Sequence, residues 1–250
     1  MTRFLDVLLG VLITAALLAQ IGYTYAWQKV TANFARTYDV PMQEFILSGD
    51  PAVIAEGRHQ ARIRGCLECH GENLEGYPYF VSAKRGIKSI APNLTLKARE
   101  YTPTEMARTI RHGIRPDGTS LQAAMPAFAF YQMTDSDLTA LISFIYSMPV
   151  KEEAGLEGEF SLWPLGYLRV ANGALPPNVA ELIDHTAART ITQPVSGSVE
   201  HGRYIVESMC VECHSDNGRL RLSVAPNLQI AKAYNKENLT RLLRSGRALG

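Results

Sequence analysis

The pentapeptide Cys66-Leu67-Glu68-Cys69-His70 returns as Cys210-Val211-Glu212-Cys213-His214, and the two copies use all four cysteines of the chain. A C-x-x-C-H run is the attachment signature of a c-type haem. Thiols three positions apart can each form a thioether with one of the two haem vinyl groups, and the next residue lies beneath the iron as an imidazole ligand. On this reading Cys66, Cys69 and His70 hold one haem, and Cys210, Cys213 and His214 a second. A four-cysteine zinc site is the rival, but its two knuckles usually stand roughly 15 to 20 residues apart, much closer than these. A thioredoxin-like redox pair expects a C-x-x-C within a βαβ pattern, which is not found. With every cysteine inside a haem motif, a structural disulfide is unavailable to report the compartment.

A chain of 250 residues and 27.6 kDa has room for two small domains, each able to bury a core. Lysine plus arginine (25) nearly balances aspartate plus glutamate (24), so no global basic field points to nucleic acid. The compartment has to be read from the N-terminus. Val7 to Trp27 carries no charged residue, after Arg3 and Asp6 and before Lys29. About twenty apolar residues match one bilayer crossing. Tyr23, Tyr25 and Trp27 supply an interfacial aromatic belt, and the stretch exceeds the roughly 7 to 15 residues of a signal h-region, which favours an uncleaved single-pass anchor over 1–30. A cleaved signal peptide is the rival, given the small Ala15, Ala16 and Ala19. The positive-inside bias is weak. Because c-type haem is attached outside the cytoplasm, the expected location is the bacterial cytoplasmic membrane with the haem domains on the periplasmic side.

Self-comparison reveals an internal repeat. Gly57 to His70 matches Gly202 to His214 with one residue fewer, Ala91-Pro92-Asn93-Leu94 matches Ala225-Pro226-Asn227-Leu228, and the run from Ala107 to Gly113 matches that from Thr240 to Gly246. Three matches in one order predict duplicated domains at 50–149 and 196–250, joined by a connector over 150–195. Each copy reads as mainly helical. Asp50-Pro51 starts one helix; Thr102-Pro103-Thr104-Glu105 starts another with a capping box, a stripe of Met106, Ala107 and Ile110, and a stop at Gly113. A third begins at Thr134, buries Leu138, Leu141, Ile142 and Ile145, and stops before Pro149. Loops rich in Gly, Pro and Asn lie between them. In the connector, which includes Lys151-Glu152-Glu153 and Pro176-Pro177, the apolar stretch around Trp163 is expected to pack on a domain or a partner, and 178–189 to form a short surface helix.

These features together resemble class I cytochrome c domains in tandem: a first helix with Gly57, C-x-x-C-H, a Pro-Asn-Leu loop, a later Met-Pro, and a last helix with Leu141, Phe144 and Ile145. Anchored chains of this type are similar to the multihaem cytochrome subunits of bacterial membrane-bound alcohol, aldehyde and sugar-acid dehydrogenase complexes. The resemblance implies that the Pro92 carbonyl accepts a hydrogen bond from His70 Nδ1, with Pro226 and His214 as the second pair, fixing each ring. It also implies that Met125, followed by Pro126, is the distal ligand of the first iron, where a thioether raises the potential. Met106, Met133 and Met148 read instead as core filling. His59, His112, His185 and His201 read as surface or packing residues.

The second copy departs from this pattern. Aligning Gly246 with Gly113 puts the counterpart of Met125 beyond Gly250, so the second domain reads as incomplete, either because the sequence is partial or because the second haem is five-coordinate or ligated by a partner. The leading functional expectation is one-electron relay from a dehydrogenase or other donor to quinone, a downstream cytochrome or an oxidase. G-x-S-x-G, P-loop and G-x-G-x-x-G motifs are absent. The alternative is a dihaem redox enzyme, working on peroxide, thiosulfate or nitrogen oxides at an open second haem. A sensor or assembly scaffold has no recognisable signalling domain behind it. Lys84, Arg85 and Lys88 form a basic cluster that reads as a solvated face or propionate neighbours before it reads as a docking patch.

Overall fold

The computed structural model describes residues 2–122, 124–152, 156–174, 178–214 and 225–247. Helix α1 spans Thr2–Phe34, 33 residues that rise about 50 Å. It is apolar and unburied along its membrane-length window. The helix runs past the expected end of the anchor at residue 30, and its last turns belong to the folded part: Val30 is buried, and the Asn178 amide donates to Asn33 O and Oδ1 at 2.8 and 2.7 Å.

Helices α2 (Pro51–Ile63), α5 (Pro103–His112) and α7 (Asp135–Ser147) enclose the main core. Their boundaries follow the local signals. The Asp50 carboxylate caps the Ala52 N–H at 2.8 Å. Thr102 and Glu105 close a capping box, and Gly113 ends α5 in the left-handed region at φ 67°. Thr134 caps Asp137 N, and Leu138, Leu141, Ile142 and Ile145 of α7 are buried. The crossing of α2 and α7 depends on Gly57, where a Cβ would lie 1.9 Å from Ala140 O and 2.7 Å from Phe144 Cβ. The backbones meet directly at that point.

Two parts of the architecture differ from the sequence expectation. The Gly- and Pro-rich segment after the first motif contains strands β1 (Tyr77–Ser82) and β2 (Ile87–Ala91), and the connector adds β3 (Glu159–Leu162), giving an antiparallel sheet in the order β1-β2-β3. Ile87 pairs with Leu162 and Ile90 with Glu159. The described residues of the 150–195 segment therefore pack on the region that precedes them. After β3, α8 (Pro164–Ala171) lies along α1, and the short surface helix expected at 178–189 is a single 3-10 turn, Val179–Leu182. Val179 of that turn is buried against Ala127 and Tyr131, and Ala180, also buried, donates its N–H to Ser120 Oγ at 3.0 Å, which is why the segment does not behave as a solvated helix. Glu153 and Pro176-Pro177 lie outside the described residues.

Beyond the connector, α9 (Val199–Ile205) passes through a π-helical turn at Val206–Cys210 into α10 (Val211–His214). A 3-10 segment, Leu228–Ala233, and α11 (Lys236–Ser245) follow. Local geometry echoes the first copy: Asn93 caps α4 (Leu94–Glu100) as Asn227 caps the 3-10 segment after it, and α5 and α11 both end on a glycine at φ 67°.

Candidate haem sites

The first C-x-x-C-H run forms its own short helix, α3 (Cys66–His70), set between Gly65 at φ 72° and Gly71 at φ 86°. Both flanking positions need left-handed backbone, which glycine adopts without a Cβ clash. The break lets the chain leave α2 and turn His70 inward, so that the ring is 5 % exposed. His70 Nδ1 lies 2.8 Å from Pro92 O. A carbonyl only accepts, so Nδ1 carries the proton and Nε2 presents its lone pair to a metal. Burial holds the ring below its ordinary pKa, which favours the neutral, ligating form. Burial also pushes the Cys66 thiol up to about 12 and the Cys69 thiol to about 11.

Pro92 is held from the connector side. Asn93, 1 % exposed, accepts from Thr95 N at 2.9 Å and Thr95 Oγ1 at 2.7 Å, and donates to Lys151 O at 2.8 Å. Its own N–H donates to Leu156 O at 2.8 Å. Gly158 at φ 86° lets the chain pass over Pro92, since a Cβ there would stand 2.8 Å from Pro92 Cβ. A buried imidazole is thus oriented by a carbonyl that is itself fixed by a hydrogen-bonded loop.

Met125 follows the Gly118 loop and precedes α6 (Ala127–Phe130). It is partly buried on the same apolar cluster that takes in Cys66, Leu67 and Leu74. Met106 and Met133 are core residues at 2 % and 0 % exposure. Two thiols at i and i+3, an imidazole with a free Nε2 and a nearby thioether form a donor set that fits a covalently held haem.

The second run repeats the key contact. His214 Nδ1 lies 2.6 Å from Pro226 O, and Asn227 Oδ1 accepts from Gln229 N at 2.7 Å. Cys210 and Cys213 stand on the π-helical turn and α10, and burial raises the Cys210 thiol.

The sequence did not reveal how closely the two runs are held. Arg64, two residues before Cys66 and 5 % exposed, donates to Gln60 Oε1 at 2.9 Å, to Ser208 O at 2.6 Å and to the Tyr204 hydroxyl at 3.0 Å. It also stands 3.6 Å from Asp137 Oδ2, the carboxylate to which the Tyr204 hydroxyl donates. One guanidinium joins α2, α7 and the helix leading into Cys210. Next to it the second run packs on the core that borders the first, with Val211 against the cluster that takes in Cys66 and Leu67; burial, and then Glu68, raises Glu212, and burial raises Tyr79. Arg64, Asp137 and Tyr204 carry no motif signal, because their pairing spans more than sixty residues. His112 and His185, expected at the surface or in packing, pack on each other with Nδ1 atoms 3.0 Å apart, and burial lowers His112 to about 3. The basic cluster is partly spoken for, since Lys88 pairs with Glu159 at 2.5 Å.

Comparison with known proteins bears on these sites. Residues 52–145 match the family described as cytochrome c oxidase, cbb3-type, subunit III. The cytochrome c subunit of alcohol dehydrogenase (quinone) from Gluconacetobacter polyoxogenes is 31 % identical over 183 residues, covering 68 % of this chain and 37 % of that protein. The fructose dehydrogenase cytochrome subunit of Gluconobacter japonicus is 30 % identical over 189 residues, 70 % of this chain and 36 % of the relative. The gluconate 2-dehydrogenase cytochrome c subunit of Pantoea cypripedii is 27 % identical over 176 residues, 66 % and 38 % respectively. The matched region is a little over a third of each relative's length.

Proposed function

We propose, from the premise that this chain carries a cytochrome c domain and is homologous to cytochrome c subunits of dehydrogenase complexes, that it is a membrane-anchored dihaem electron relay. It takes single electrons from a dehydrogenase partner and passes them to quinone, a downstream cytochrome or an oxidase at the outer face of the bacterial cytoplasmic membrane. The observation that carries this reading is the repeated geometry at His70 and His214, each Nδ1 held by a proline carbonyl so that Nε2 is left for iron.

In this reading Cys66 and Cys69 hold the first haem and Cys210 and Cys213 the second, as thioethers, with His70 and His214 as proximal ligands. Haem supplies the one-electron chemistry. Pro92 and Pro226 keep the imidazoles oriented and electron-rich. Met125 is the distal ligand of the first site, where its soft thioether favours the ferrous state. The cytochrome domains occupy 50–149 and 196–250. The described residues of the connector between them pack on the first domain and on α1. Helix α1 is the anchor.

The test is intact mass of the full-length protein, followed by a redox titration. Two haems per chain are expected, falling to one in Cys210→Ala/Cys213→Ala, with two low-spin components in the unaltered protein. One haem per chain refutes the dihaem reading. A high-spin, CO-binding second component replaces relay at that site with ligand chemistry.

A further inference from the structure

The relay reading leaves α8 unexplained. This connector helix buries Gly166 and Val170 and turns Trp163, Leu165 and Leu168 outward at 38 %, 44 % and 44 % exposure. Its partner is the far end of the apolar α1. Tyr23, Ala26 and Val30 make a helical stripe facing it: the Tyr23 and Tyr167 rings meet edge to face at 6.1 Å, Val30 packs with Val170, and Lys29 Nζ donates to Ala171 O at 3.1 Å. Tyr167 stands opposite Tyr23, while Val170 and Ala171 stand opposite Val30 and Lys29. The two helices therefore run in the same direction, and the first turn of α8 points back toward the apolar half of α1. That puts Tyr167 and Leu168 level with the aromatic belt of α1, where Tyr25 and Trp27 are 65 % and 44 % exposed, and turns Leu165 toward its apolar half.

The β1–β2 turn lies against the same helix. A Cβ on Gly86 would stand 2.4 Å from Gly166 N, and Trp163 N donates to Gly86 O at 3.0 Å. Lys84 and Arg85 on this turn are exposed, and Arg169 Nη1 reaches Arg85 O at 3.4 Å. Apolar and indole groups beside three cations, at the depth of an aromatic belt, match an interfacial helix on an anionic bilayer.

We infer that α8 and the β1–β2 turn form a second membrane contact: Trp163, Leu165 and Leu168 enter the interface beside α1, and Lys84, Arg85 and Arg169 meet anionic headgroups. The inference rests on α1 being an anchor. Lipid is favoured over a protein partner because the exposed face continues the unburied surface of α1 at the same level. The contact fixes the height and tilt of the first haem motif above the membrane.

The experiment uses full-length, haem-loaded protein in vesicles of phosphatidylethanolamine and phosphatidylglycerol carrying a diazirine-acyl phospholipid, with carbene adducts mapped by mass spectrometry. Adducts on α1 and also on 163–168 are expected. Adducts on α1 with none on 163–168 overturn the inference, and cross-links from Lys84 to another polypeptide in that case assign the face to a protein. Adducts on neither segment overturn the anchor reading together with it. The charge variant Lys84→Gln/Arg85→Gln/Arg169→Gln should lower the 163–168 yield on the order of tenfold and leave α1 labelling unchanged. An unchanged yield in that variant removes the headgroup contact and overturns the inference as stated.

Discussion

Replacing Arg64 with methionine tests whether one buried guanidinium holds the two C-x-x-C-H segments together. The side chain is 1 % exposed and makes three hydrogen bonds, and it stands 3.6 Å from the Asp137 carboxylate, itself 8 % exposed. Arg64→Met keeps much of the volume but strands Asp137 and leaves Ser208 O without its donor. Breaking a buried pair from one side costs about 3–5 kcal/mol, chiefly because the remaining charge is uncompensated. The loss should appear as undocking of α9 and the π-helical turn, since these are the elements that Arg64 ties to α2 and α7. Hydrogen exchange of the amides between 199 and 210 should accelerate by at least about a hundredfold, each tenfold corresponding to about 1.4 kcal/mol. Amides of α2 and α7 should change far less. The double variant Arg64→Met/Asp137→Leu should recover much of the loss, because no unpaired charge remains. Unchanged exchange at 199–210, with stability within about 1 kcal/mol of the parent, would refute the view that this network fixes the second motif.

Other expectations follow from single sites. Met125→Ala should lower the midpoint potential of one haem only, on the order of a hundred millivolts within the ~0.8 V that axial ligation spans, as measured by spectroelectrochemistry; equal potentials before and after would remove Met125 from the ligand set. Gly57→Ala places a methyl 1.9 Å from Ala140 O and should cost about 3 kcal/mol or more by forcing α2 and α7 apart, read from denaturant unfolding. His112 is held at about 3 by burial, beside His185 and the cations Arg111, Arg189 and Arg108. Its unfolded form gains a proton near pH 6.5 while the folded form resists, so stability should fall as pH drops from 6.5 toward 3. Thermal unfolding between pH 6.5 and 5, above the carboxylate range, should show a shallower slope in His112→Phe than in the parent.

Cys66-Leu67-Glu68-Cys69-His70, its second copy, and the ends of α2, α5 and α7 were legible in the sequence because each is a local device. A thiol pair needs its i, i+3 spacing, a capping box its three-residue span, and a left-handed terminus its glycine. The Pro92 contact came from resemblance to class I cytochromes, while the loop that fixes Pro92 did not. Asn93 reaches Lys151 O and Leu156 O across more than fifty residues, and no local pattern encodes that reach.

The same physical reason separates what only the tertiary structure decided. The strand at Glu159–Leu162 exists because β2 offers it an edge, and the 178–189 segment becomes one buried turn because Val179 finds Ala127 and Tyr131. Arg64 is an ordinary exposed-looking arginine until Gln60, Asp137, Tyr204 and Ser208 converge on it. Motif spacing and helix termini depend on neighbours along the chain, and the sequence determined them. The wrapping of the connector and the docking of the second motif depend on which distant surfaces bury one another, and only the folded structure decided those.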